Sequence, residues 1–114
     1  MPNVDLVIDQ GSDFRRLLKI KNREGVPVDI SDRDFTAIVK ENYSKKKFLS
    51  WVELEKTDQE LSPGELHLFI SSEKTRNLRI TDPTIYFYDI KQFFGGEETT
   101  LISGKIIIQP RATV

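Results

Sequence analysis

Apolar residues in this chain recur at every second position, in short runs that stop at glycine, proline, asparagine or aspartate. A period of two places the apolar members of each run on one face of a β-strand and the polar members on the other. Runs repeating about every 8–12 residues are the pattern of sandwiches and barrels. The expected fold class is therefore all-β, with helix scarce.

The first strand is expected over residues 4–8, with Val4, Leu6 and Ile8 on one face and Asp5 and Asp9 on the other. Gln10, Gly11 and Ser12 permit a bend. A second strand spans 14–21, with Phe14, Leu18 and Ile20 aligned, and ends where Gly25 supplies a positive φ. Residues 26–30 are extended but contain Pro27, which has no N–H for a ladder, so they belong to an edge or a crossing connection. Residues 35–41 turn Phe35, Ala37 and Val39 inward, and 48–54 form a strand around Trp51. Pro63 and Gly64 make a turn that delivers Leu66, Leu68 and Ile70 to one face. Residues 71–78 suit a short helix with Ser72 as N-cap and Glu73 near its positive end. Residues 84–93 and 99–109 read as a long hairpin reversing at Gly95 and Gly96, with Ile106 and Ile108 aligned and Gly104 expected at a bulge.

At 114 residues the chain suits one domain with one core, large enough to fold without staples. Seventeen basic against eighteen acidic residues leave a net charge of −1, which gives no global field toward nucleic acid or an anionic membrane. The absence of cysteine excludes disulfides, thiolate metal sites and thiol nucleophiles. No apolar run approaches the roughly 20 residues of a membrane span, and the first residues lack the basic-then-apolar order of a secretion signal.

No residue pattern supports catalysis, a metal or another cofactor. His67 is the single histidine and alternates away from Leu66 and Leu68, whereas a zinc site needs three or four converging ligands. Asp29, Asp32 and Asp34 lack the spacing of a calcium loop and are better explained by turns in which aspartate accepts backbone N–H groups. Lys40 with Lys45, Lys46 and Lys47 beside Tyr43 reads as a solvated loop, so nucleic acid is not an expected partner. Ser31, Ser62 and Ser71 stand in no nucleophile motif. Trp51, Tyr86, Phe87 and Tyr88 read as core and cross-strand aromatics.

Phe93 and Phe94 are adjacent, and two neighbours in a strand do not both face one core. One of them is expected to be exposed at the hairpin tip, beside Gly95, as a contact for another subunit. Open sheets also leave edges that pair readily with another chain. The two terminal segments, 2–9 with Val4 and Leu6 and 110–114 with Arg111, are the expected places for such contacts.

One order of features remains. Gln10-Gly11 with Phe14 precedes Gly25-Val26-Pro27-Val28-Asp29 and then Pro63-Gly64-Glu65-Leu66-His67-Leu68. Ser71, Thr75 and Leu78 follow, then Tyr88-Asp89-Ile90, Gly95-Gly96, Leu101-Ile102-Ser103-Gly104-Lys105-Ile106 and Pro110-Arg111-Ala112-Thr113. The series resembles small structural proteins of tailed bacteriophages, and the N-terminal domain of the siphophage baseplate upper protein. That resemblance implies an immunoglobulin-like antiparallel β-sandwich over residues 1–114. It also implies a non-enzymatic virion subunit assembled in the host cytoplasm, present in several copies and bound to other tail, baseplate or neck proteins. The alternatives are a head or neck decoration or fibre-anchoring protein and, from another class, a carbohydrate-binding module. A fibre-holding role through an appended domain, as in the baseplate upper protein, is not expected of this chain.

Overall fold

The computed structural model describes residues 3–41 and 49–110. Among these residues are seven strands and one helix: β1 (Leu6–Asp9), β2 (Phe14–Lys19), β3 (Asp34–Lys40), β4 (Val52–Lys56), β5 (Glu65–Ile70), α1 (Ser72–Arg76), β6 (Thr84–Phe94) and β7 (Glu97–Gln109). They form a four-stranded sheet in the order β1-β7-β6-β3, facing a three-stranded sheet in the order β2-β5-β4.

The backbone of the larger sheet is the β6–β7 hairpin. At about 3.4 Å per residue, the 13 residues of β7 nearly match the 45 Å long axis of the molecule. Its inner face is built from cross-strand rows. Leu6, Ile106 and Tyr86 lie in register, as do Ile102, Ile90 and Ala37. The smaller sheet answers with Leu66, Leu68 and Ile70 of β5, flanked by Phe14 and Leu18 of β2 and by Val52 and Leu54 of β4. Nearly all the alternating positions that the sequence turns inward close into this one core, including Val39, Ile106 and Ile108 with no exposed surface. Trp51 is buried there too, its ring 4.5 Å from that of Tyr86, but it lies just before β4. Leu49 donates its N–H to the Val39 carbonyl and so carries the chain from one sheet to the other. Of the loop lysines, Lys45 to Lys47 lie outside the described residues, as does Phe48.

Several local features differ from expectation. β1 pairs with β7 in parallel, so the sandwich is not wholly antiparallel. An alternating strand exposes the same face in either direction, and the pattern carries no information about orientation. The cap of α1 is Ser71, in extended conformation, whose hydroxyl accepts the N–H of Glu73. Ser72 is the first helical residue, and its N–H is held by Asp13 from the β1–β2 turn. Residues 26–28 form no strand; Pro27 meets Lys21 in an isolated bridge within the crossing between sheets.

Gly104 is not the bulge. The register slips between Ile90 and Lys91, which face Ile102 and Thr100, so Leu101 is the inserted residue. Gly104 lies opposite Tyr88 on the inner face and has no positive φ. Its role is clearance: a Cβ there would stand 2.1 Å from the Val4 carbonyl oxygen. The chain entering β1 passes over this gap, and the Tyr88 hydroxyl donates to that same oxygen.

Burial pushes the Tyr88 hydroxyl up from the ordinary 10 to about 12, with Asp5 and Asp89 adding to the rise and Arg16 opposing it. The fold thus favours the neutral phenol. This stabilisation is complete below pH 10 and is lost as pH rises toward 12. Thermal melting is expected to weaken over that interval, and less steeply in Tyr88→Phe, which has no phenol to ionise. An equal alkaline decline in both proteins would refute the assignment.

Candidate interaction surface

The helix and the β1–β2 turn close one end of the sandwich. Gln10 Nε2 donates to the carbonyls of Thr75 and Leu78, and the N–H of Gly11 is bound by Thr75 Oγ1. The loops between β2 and β3 and between β4 and β5 lie at the opposite end, with the tip of the β6–β7 hairpin. There Gln59 Oε1 accepts from both Ile30 and Gly64, and Lys56 Nζ donates to the carbonyls of Ser31 and Arg33. Asp29 accepts the N–H of Ser31, the turn role expected of this acidic run, and that bond lowers its carboxyl pKa. These bonds give a definite shape to the distal loops beside the hairpin tip.

At the tip, Phe94 pairs with Glu97, leaving a two-residue loop of Gly95 and Gly96, with φ of 60° and 81°. Positive φ at both central positions is the requirement of a type I′ turn, whose twist suits a tight hairpin. Phe93 and Phe94 are 40% and 43% exposed, so both rings reach the surface where the sequence implied only one. Alternation sends them to opposite faces of the arm. The Arg33 guanidinium lies 4.5 Å from the Phe94 ring centre and donates to Gln92 Oε1 at 3.1 Å. Lys91 and Glu98 form an ion pair of 2.8 Å beside them. The tip thus offers two aromatic faces on a braced β-ribbon, with a fixed cation against one ring.

Of the other expected contact residues, Leu6 is 1% exposed and belongs to the core, so it presents no surface to a partner. Val4 packs against that core, with its N–H bound to Ser103 and its carbonyl to Tyr88. The amino-terminal strand is therefore part of the protein's own sheet, where its apolar face is buried. Arg111 lies outside the described residues.

A second surface was not singled out from the sequence. On the outer face of the larger sheet, Val7, Ile107 and Ile85 align across three strands, with Val7 and Ile85 about half-exposed. The signal was present in the run Ile106-Ile107-Ile108. If the outer two isoleucines face the core, the middle one faces out. On the smaller sheet, His67 is exposed opposite Glu55, while the Arg15 guanidinium covers the Phe69 ring at 4.3 Å. Among the described residues no group of acidic and histidine side chains converges as a metal site would.

No family model matches the chain, and no curated protein matches it. Among solved structures it is similar to the crystal structure of the periplasmic chaperone SfaE, with a TM-score of 0.62 at 9% identity. The likeness covers 98% of this chain and 56% of that one, so the chain spans little more than half the length of its structural neighbour. The two-sheet architecture is an immunoglobulin-like β-sandwich.

Proposed function

We propose that this chain is a non-enzymatic structural subunit of a tailed-phage particle, an adaptor that docks to tail or baseplate proteins through its distal end. The observation that carries the reading is the hairpin tip, where Phe93 and Phe94 are both half-exposed on a strand pair braced by Arg33 and the Lys91–Glu98 ion pair. Aromatic rings on a preorganised ribbon supply contact area at little entropic cost. The sequence order that resembles phage structural proteins supports the reading of the particle as its setting. Repetition by symmetry would add avidity to each modest interface.

The test is the double variant Phe93→Ser/Phe94→Ser in a phage-producing cell. Melting is expected to change by no more than about 1 kcal/mol, because both rings are already partly solvated. Incorporation into purified particles is expected to fall at least tenfold. Normal incorporation would move the docking surface elsewhere, and absence of the unaltered protein from particles would remove the virion reading. Deleting residues 1–9 would not make this distinction, because Leu6 and Ile8 are needed by the core.

A further inference from the structure

β7 is longer than the strand beside it. β1 runs along its carboxyl-terminal half, from the bridge of Asn3 with Ser103 to the pairing of Asp9 with Gln109. Along residues 97–102 no described strand covers that side, so about 20 Å of edge presents alternate backbone N–H and C=O groups sideways. This is the length of an average strand.

Beside that edge a slot of about 220 Å³ opens between the two sheets. Leu66 and Ile90, both fully buried, form part of its lining, with Leu18, Ile20, Leu101 and Ile102. In a regular strand Leu101 and Ile102 would face opposite ways. The bulge at Leu101 brings both to the slot. A cavity on the order of 150 Å³ holds a benzene ring, so this one has room for a bulky side chain. Lys19 and Lys21 complete the lining and supply its charge.

We propose that this stretch of β7 and the slot together accept an extended segment of a partner protein. The segment adds to the sheet as a strand, inserts an aliphatic or aromatic side chain into the slot, and sets an acidic residue against Lys19 and Lys21. The free backbone edge selects a polypeptide over an aliphatic amphiphile, which would use the slot but not the edge groups. At the slot the two lysines disfavour a basic residue and favour an acidic one, whereas Glu97 and Glu98 stand at the hairpin end of the edge. The edge begins beside the hairpin tip, at Glu97, but none of the tip residues lines the slot, and the proposal does not depend on the partner being a virion protein.

The experiment is selection of a displayed random ten-residue peptide library on the full chain. Selected peptides are then measured on the parent, on Leu101→Lys and on Lys19→Glu/Lys21→Glu. The expected peptides alternate apolar residues with aspartate or glutamate, and bind at least tenfold more weakly to both variants. Bound peptide is expected to slow amide hydrogen exchange at least tenfold within residues 97–102. The charge-reversal variant alters only surface groups, so it keeps the test decisive should Leu101→Lys misfold. No enrichment, equal binding to the charge-reversal variant, or protection confined to other strands would overturn the proposal. Dodecanoate entering the slot without protecting the edge, in the absence of selected peptides, would assign the slot to an amphiphile and overturn it as well.

Discussion

Replacing Gly104 with valine is expected to lower the unfolding free energy by about 3 kcal/mol, the upper part of the usual range for forcing atoms into a filled interior. The new Cβ would meet the Val4 carbonyl oxygen at 2.1 Å and its carbon at 2.7 Å, and both are backbone atoms with no rotamer to escape into. Val4 is also held from two directions, by its bond to Ser103 and by the Tyr88 hydroxyl. Relief of the clash therefore requires the entry to β1 to lift away from β7. At roughly 4 °C or more per kcal/mol for a domain of this size, the melting temperature should fall by about 12 °C. Gly104→Ala already carries the clashing atom and should fall in the same direction. Combining it with Tyr88→Phe should cost less than the sum of the two, because both changes loosen the same segment. Unchanged melting of Gly104→Val would show that β1 yields freely at this crossing.

Gln10→Glu is expected to cost a similar amount at neutral pH, by a different mechanism. The Gln10 carboxamide is buried and its nitrogen donates to the carbonyls of Thr75 and Leu78, locking the helix over the end of the sandwich. A glutamate keeps the shape but replaces the donor by a second acceptor, setting a buried carboxylate against two carbonyl oxygens. An uncompensated buried charge costs about 3 kcal/mol or more. Burial favours the protonated acid, so its folded-state pKa should exceed the unfolded value near 4.3. The variant should therefore approach the parent's stability in acid and fall behind as pH rises through the folded-state value. Denaturant unfolding of both proteins across pH 4–8 measures this divergence. A constant gap over that range would mean that lost packing, not charge, sets the cost.

The interior was legible in the sequence because alternation is a local property. Each residue's side of the sheet follows from its neighbours two positions away, so Val39, Leu66, Leu68, Ile70, Ile106 and Ile108 are buried as their runs imply. Turn chemistry was legible for the same reason. Gly95 and Gly96 supply two successive positive φ angles, and Gly64 supplies another after Pro63. The two exposed phenylalanines follow in part from adjacency alone, although the sequence pointed to exposure of one rather than both. The outer row of Val7, Ile85 and Ile107 was legible in principle from the same alternation, but only strand pairing brings these residues side by side.

What the sequence by itself determined is the class of fold, the inward face of the main strands and the places where the chain turns. Each depends on stereochemistry within a few residues. Tertiary structure decided that β1 runs parallel to β7, that the inserted residue is Leu101, and that Gly104 makes room for backbone. It likewise decided that Tyr88 answers Val4 across 84 positions and that Gln10 holds carbonyls 65 and 68 positions away. A period of two is the same in parallel and antiparallel strands and names no partner. These features arise only when distant segments compete for the same space and the same hydrogen bonds.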